Sequence, residues 1–561
     1  MRRSSGIFLL IVFGLWLILP AQAQTPTIRA ADGALNGASY ARSGLPNGGI
    51  AQGSIFVIFG DNLGPATLVQ VSAFPLPTTE GLAGTSVTVT VGQTTVTAIM
   101  LYTLKTQVAA VLPSNTPLGP GTVRVRYNGQ DSNTVPIRVV ARSFGTFALN
   151  QAGSGPAIIQ NVNSEADRPI NAFDHPARPG QVMILWGTGI GPVSGNEPGG
   201  ALPGNMPGVN ARVFVGSKEA SIQYRGRSGC CVGVDQIVFT IPEGVEGCYI
   251  PVSVVVDNVV SNYVTIAIAR TGNVCSDPGG YSSSQWQTLL SGQNVRIGTL
   301  AVQRIFNRNL GGGIGGDGAP YRSDYITAAY SSFSSSALLK VPGQPPIGSC
   351  AVMQFPVPSF VIPGALGAGS VTVNGPVGNR AIPMSSTGVY QLLFAPTFPA
   401  APNIVTDGTL VTAGTYAFNV TAGANVGAHS ASINHPATFT WNELASFPGT
   451  INRNQPFTVT WTGGTAGALV YIYGQSAYDS GPQGDVGASF QCTADGGAGT
   501  FTIPASVLSA LPPTYSLGPA GPHGSFFMSQ YIFGQPLSIP GTDIGTIGVA
   551  DINTIYTVAY Q

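Results

Sequence analysis

Charge is scarce in this sequence. Lys, Arg, Asp and Glu make up 8% of the 561 residues, and the formal net charge is zero, where an ordinary soluble domain carries about 25% charged residues. No Lys or Arg follows Arg453, and no basic cluster stands anywhere in the chain. Nucleic acid is held through several cationic contacts to phosphate, so it is not an expected partner. An anionic membrane surface is disfavoured on the same ground.

Histidine is equally sparse, with four residues, His175, His429, His435 and His523. On one extended strand His429 and His435 would share a face but stand about 20 Å apart at ~3.3 Å per residue, too far to chelate one metal. Each of the four reads as a loop or surface residue. The glycine tract from Gly311 to Gly318 lacks the Lys-Ser/Thr of a phosphate loop and reads as a surface loop. No G-x-S-x-G elbow occurs, and no two carboxylates stand out as the acid pair of a glycosidase. Asp131 and the pair Asp257-Asn258 lie in turns with too few oxygen ligands for calcium and read as turn chemistry. No catalytic residue, cofactor or metal site is assigned.

Long apolar runs are also missing except at the start, from Ile7 to Leu19. That run is shorter than the roughly 20 residues a membrane helix needs. With Met1-Arg2-Arg3 before it and Ala21-Gln22-Ala23 after it, it predicts a secretory signal peptide over 1–23, and so a secreted or cell-surface protein. The last residues, Ile555 to Gln561, read as a strand without a sorting tail or anchor.

Glycine (75) and proline (44) are abundant, and hydrophobic residues reach 43%. That combination predicts many short strands joined by tight turns rather than disorder. One stretch organises the pattern. Gly53-Ser54-Ile55-Phe56-Val57-Ile58-Phe59-Gly60, followed by Gly64-Pro65, returns as Gly180-Gln181-Val182-Met183-Ile184-Leu185-Trp186-Gly187, followed by Gly191-Pro192. A glycine, a short apolar run, a second glycine and Gly-Pro describe a buried strand entering a bend. Further landmarks recur in order. The alternating run Thr85 to Val91 corresponds to Ala211 to Val215, Gln107 to Pro113 to Gln236 to Pro242, and Ser132-Asn133-Thr134-Val135 to Ser261-Asn262-Tyr263-Val264. Asn128-Gly129 is a type I′ hairpin signal. Two copies of one β-sandwich of about 100 residues, the immunoglobulin-like size, are therefore expected.

This ordered set resembles the TIG/IPT class of immunoglobulin-like domains, in the tandem form seen in uncharacterised exported proteins of soil bacteria. The resemblance covers about 45 to 275 and implies an extracellular spacer or binding role, with no catalytic residues to carry over. Some TIG members bind DNA, a use that the missing basic patch does not support.

The resulting expectation is an all-β chain: signal peptide 1–23, leader 24–48, TIG-like sandwiches over 49–142 and 172–270, a β-rich domain over 285–436 and a C-terminal sandwich over 437–561. The last two are either separate at His435-Pro436 or share one core. Within them, Val295 to Ile305 predicts a strand, and Tyr325 to Leu339 a strand or short helix. Alternation places Phe457, Val459 and Trp461 on one core-facing side.

Six cysteines in an exported chain predict disulfides. Four of them, Cys230, Cys231, Cys248 and Cys275, allow three pairings. Because a bridge between sequence neighbours is strained, Cys230 and Cys231 are each expected to pair with Cys248 or Cys275, leaving Cys350 and Cys492 as a long-range bridge. A vicinal Cys230-Cys231 redox element would need an electropositive setting that the sequence does not offer.

For binding, Trp286, Tyr471 and Tyr473 are the candidate sugar-stacking residues, although Tyr471 and Tyr473 read more simply as core of the last sandwich. The functional expectation is a non-catalytic structural, adhesive or binding protein at the cell surface, its partner an extracellular polysaccharide or another surface protein. The alternative is a polysaccharide-active enzyme or carbohydrate-binding protein with its site in the C-terminal half.

Overall fold

The computed structural model describes residues 25–30, 33–276, 294–310, 321–334, 344–355, 363–395, 401–479, 485–516, 523–534 and 536–561. Both recurring apolar runs are strands, β1 (Ile55–Asp61) and, in the second copy, Val182–Thr188. In the first unit β1 lies in a six-stranded sheet between Thr27–Ile28 and Gln107–Val111. A second sheet faces it, built on β2 (Thr85–Val91), whose Val87, Val89 and Val91 alternate into the core against Phe56, Ile58, Val108 and Ala110. Asn128 and Gly129 both take positive φ, 47° and 81°, at the tip of the hairpin, as a type I′ turn requires.

The supposed leader 24–48 is not outside this sandwich. Its strands Thr27–Ile28 and Ala34–Asn36 both pair with β1. Without them β1 would be an open edge with unpaired backbone groups; buried Ile28 and Leu35 supply the apolar contact that fixes them there.

The second copy, β3 (Val182–Thr188), is built the same way, with its own N-terminal strand Gly145–Thr146 paired to it and its own core of Met183, Leu185, Val213, Ile237, Phe239 and Val252. The recurring glycines now have two distinct causes. Gly53 and Gly180 sit at φ 69° and 79°, a region costly for any residue with a Cβ. Gly60 and Gly187 instead lie beneath the crossing N-terminal strand, where a Cβ would collide with the carbonyls of Thr27 and Gly145.

The recurring Ser-Asn pair also has a cause. Asn133 accepts from Ile28 N (2.7 Å) and donates to Ile28 O (3.0 Å); Asn262 accepts from Thr146 N and donates to Thr146 O, both at 2.9 Å. In each unit one amide side chain therefore clamps the N-terminal strand at both backbone groups of one residue. The preceding serine accepts from the neighbouring strand, Ser132 from Val125 N and Ser261 from Val254 N.

The two recurring stretches meet. Ile55 N donates to Thr188 Oγ1 (2.8 Å), and Arg227, paired with Asp235 at 2.5 Å, donates to both Gly53 O (2.6 Å) and Gly191 O (2.8 Å). Val232 completes a small apolar cluster with Leu76, Ile99 and Val111 of the first unit.

The C-terminal half is organised by one long sheet. Its strands are β4 (Asn294–Asn309), β5 (Asp324–Ser334), β6 (Cys350–Phe355), β7 (Val389–Phe394), β8 (Leu469–Asp479), β9 (Asp485–Asp495), β10 (Gly524–Phe533) and β11 (Ile544–Tyr556), in the order β6-β9-β8-β10-β11-β4-β5-β7 with shorter strands at its margins. β5 is strand over its described length. β4 pairs in parallel with β11 from Ile297–Ile544 to Asn309–Tyr556, so the sheet runs unbroken across His435-Pro436.

Two small sheets cover one face of this long sheet. One contains Val371–Gly375, Gly414–Val420 and His429–His435 and packs on Leu300, Val302, Ile326 and Tyr390. The other contains Phe457–Thr462 and Thr500–Ile503 and packs on Val470, Ile472, Phe490 and Met528; Val459 and Trp461 face that core as alternation predicts. No described helix is long and apolar enough to cross a membrane.

Cysteine pairing departs from expectation. Cys230 is bridged to Cys231, Cys248 to Cys275, and Cys350 to Cys492. Cys230 and Cys231 stand beside Val232 where the second unit meets the first, whereas Cys248 and Cys275 pack with Val295 and Ile544 of the C-terminal sheet. The two pairs lie at different junctions, so exchange between them has no geometric route. Cys350 and Cys492 stand directly opposite each other on β6 and β9.

Candidate functional site

The face of the long sheet opposite the two small sheets carries the aromatic residues singled out from the sequence. On β8, Val470 and Ile472 enter the core, so the period of two turns Tyr471, Tyr473 and Gln475 to the other face. Tyr471 and Tyr473 thus do not join that core. Opposite Tyr473 on β10 stands Phe527, with rings stacked at 4.4 Å and 17°. Tyr471 meets Tyr531 edge-on at 5.0 Å, and Tyr531 stacks on Phe533 at 6.2 Å. Offset and edge-on pairs of this kind are the favoured aromatic geometries.

These rings are half-buried, and Phe533 (49%) and Tyr556 (42%) remain largely exposed. Tyr473 donates its hydroxyl to Gln475 Oε1 (3.1 Å) and Tyr471 to Gln344 Oε1. Burial raises the Tyr531 phenol above its usual range, so it stays neutral at physiological pH. By register, the half-buried Gln491 and Gln303 and the buried Ser489 and Thr554 occupy the same face. Trp286, the third predicted stacking residue, lies outside the described residues. Sequence reasoning missed Phe527, Tyr531 and Phe533; the alternation of Ser525 to Phe533 contained the signal, but its aromatics mix with the core residues Phe526 and Met528.

Mid-strand charges go to the covered face, where they form a buried polar seam between the two cores. Arg304 pairs with Asp551 at 2.5 Å and donates to Pro436 O and Ala437 O, while Asp551 also accepts from Phe439 N. This ion pair pins the segment after His435 to the long sheet. Burial raises the Asp551 and Asp324 carboxyls, against the opposing pull of Arg304 and Arg322. His435, expected at the surface, is instead 1% exposed at the end of strand His429–His435, and burial together with Arg304 pushes its pKa down to about 3. His429 bonds Tyr330 Oη (3.0 Å). Among the described residues no three His, Cys, Asp or Glu converge as a metal site.

No family model matches the chain, and no curated protein is similar to it in sequence. Solved structures that align with it include a tetra-tandem repeat from the extending region of a large adhesion protein, at 10% identity over 95% of this chain and 100% of that one, with TM-score 0.13. SGBP-B from a xyloglucan utilization locus of Bacteroides uniformis aligns at 11% identity over 73% and 98% with TM-score 0.18, and domains 5–6 of the S-layer protein SbsC at 12% over 44% and 100% with TM-score 0.15. At scores this low they carry no argument about function, which rests on the chain's own geometry.

Proposed function

We propose that this is an exported, non-catalytic β-sandwich protein that binds a neutral extracellular polysaccharide along the aromatic face of its C-terminal sheet. The observation that carries the reading is the Tyr473–Phe527 stack beside Tyr471, Tyr531 and Phe533, flanked by amides and hydroxyls with the mid-strand charges turned away. Apolar ring faces match the C–H faces of sugars, and the amides and hydroxyls match their rims. The ties at Arg227, Thr188 and Gly53 support a spacer role for the two N-terminal units, which would hold this face away from the cell. We propose unit limits of 25–142, 143–276 and 294–561, the first two belonging to the TIG-like class and preceded by a cleaved signal peptide.

Affinity electrophoresis of the mature chain through gels cast with neutral glucans, xylan or mannan tests the reading. At least one polymer is expected to retard the protein, and the double variant Tyr473→Ala/Phe527→Ala to abolish the retardation. If no neutral polymer retards it, or the double variant is retarded equally, the reading is wrong. Release of reducing ends during the assay would move the protein to the polysaccharide-active enzyme class.

A further inference from the structure

The three units meet around a cavity of about 330 Å³, within the size range of small-molecule sites and in the place, between domains, where such sites concentrate. The first unit contributes Arg29, Tyr40 and Phe59, the second Gln151 and Tyr263, and the C-terminal unit Gln354. Among the described residues that line it there is no Asp or Glu, and the Arg29 guanidinium gives this wall a positive charge. Arg29 lies over the Phe59 ring at 5.9 Å and has no carboxylate partner among the described residues.

The walls are held in unusual backbone. Tyr40 and Gln151, contributed by different units, sit at φ 52° and 55°, a conformation rare for bulky residues and found where a function needs it. Tyr40 is kept there by its N–H to Asn36 O (3.0 Å), and its ring approaches Phe59 at 6.3 Å. Across the chamber Gln354 Nε2 donates to Asn47 Oδ1 (2.9 Å), which leaves the Gln354 carbonyl and the second Nε2 hydrogen for a guest.

We propose that this junction cavity is a binding site for a carboxylated sugar, a hexuronate residue of an acidic glycan. The carboxylate would pair with the Arg29 guanidinium, the apolar sugar face would lie on Tyr40 and Phe59, and the ring hydroxyls would meet Gln354 and Gln151. The site is separate from the aromatic face of the long sheet and does not depend on it.

Isothermal titration of the mature full-length chain with galacturonate and glucuronate mono- to trisaccharides, against galactose and glucose oligomers of equal length, tests the assignment. Uronates are expected to bind and the neutral sugars not to, with affinity falling as salt rises. Arg29→Gln, at an exposed position, is expected to weaken uronate binding about tenfold or more, because it removes a charge-assisted bond. Tyr40→Ala is expected to weaken it as well. Tyr473→Ala/Phe527→Ala is expected to leave it unchanged, which separates failure here from failure of the sheet-face reading. Absence of uronate binding, equal binding of neutral sugars, or binding indifferent to Arg29→Gln in a variant with unaltered melting would each overturn the proposal.

Discussion

Replacing Asn262 by alanine removes three hydrogen bonds at once, to Thr146 N, Thr146 O and Gly153 O, each at 2.9 Å. Asn262 is 3% exposed, on the wall of the junction cavity, so cavity water but not bulk solvent can reach the lost partners. Each bond contributes about 0.5–1.5 kcal/mol net, and a buried backbone group left unpaired costs about 1–3 kcal/mol. The second sandwich is therefore expected to lose about 3–5 kcal/mol of stability. Asn133 makes the equivalent clamp on Ile28 but is exposed; there solvent takes over, and Asn133→Ala is expected to cost only about 1 kcal/mol. A chain of several units does not unfold in two states, so the local measurement is native-state hydrogen exchange. The Thr146 amide should lose about 10²–10³-fold of its protection in Asn262→Ala, and the Ile28 amide at most about tenfold in Asn133→Ala. A smaller effect at Thr146 than at Ile28 would refute the clamp and the burial argument together.

Arg227→Met leaves Asp235 buried without its partner, a change expected to cost about 3–5 kcal/mol and to expose the junction between the first two units to limited proteolysis; an unchanged digestion pattern would contradict it. Two buried groups predict opposing pH effects. His435 has its pKa lowered to about 3, so its contribution is present above about 6.5, the unfolded value, and is lost as pH falls toward 3. Asp235 is raised to about 6, chiefly by burial, so its contribution is greatest below about 3.9, the unfolded value, and is lost as pH rises through 6. Melting curves of His435→Gln should therefore be less acid-sensitive than wild type between pH 6.5 and 3, and Asp235→Asn less sensitive between pH 4 and 6. The Cys350–Cys492 bridge has a sequence separation of 142 and the Cys248–Cys275 bridge one of 27; by loop entropy the first is worth about 5 kcal/mol and the second about 3.5. Cys492→Ser should accordingly lower the melting temperature more than Cys248→Ser, and non-reducing peptide maps should link Cys230 only to Cys231.

What was legible in the sequence was whatever local period carries. The alternation of Val87, Val89 and Val91 and the positive-φ turn at Asn128-Gly129 are dictated by residues next to one another, and they stand where the pattern puts them. The recurring glycines were legible as bends, but Gly60 and Gly187 exist for a second reason, the crossing of strands Thr27–Ile28 and Gly145–Thr146. Those strands are too short and too polar in their surroundings to announce themselves. The Ser-Asn pair held the missing clue, since a side chain that returns in both copies at the mouth of a strand, where apolar residues would pack better, has a hydrogen-bonding task. Parity likewise put Tyr471 and Tyr473 opposite Val470 and Ile472, but it could not say which face was core. That was decided by β4 reaching β11, 247 residues away along the chain, with Arg304 and Asp551 drawn together at the seam. A parallel pairing between segments so distant leaves no local trace in either of them. The aromatic face exists because that pairing commits Val470, Ile472, Met528 and Ile555 to one core, leaving Tyr473 and Phe527 to meet each other on the opposite side.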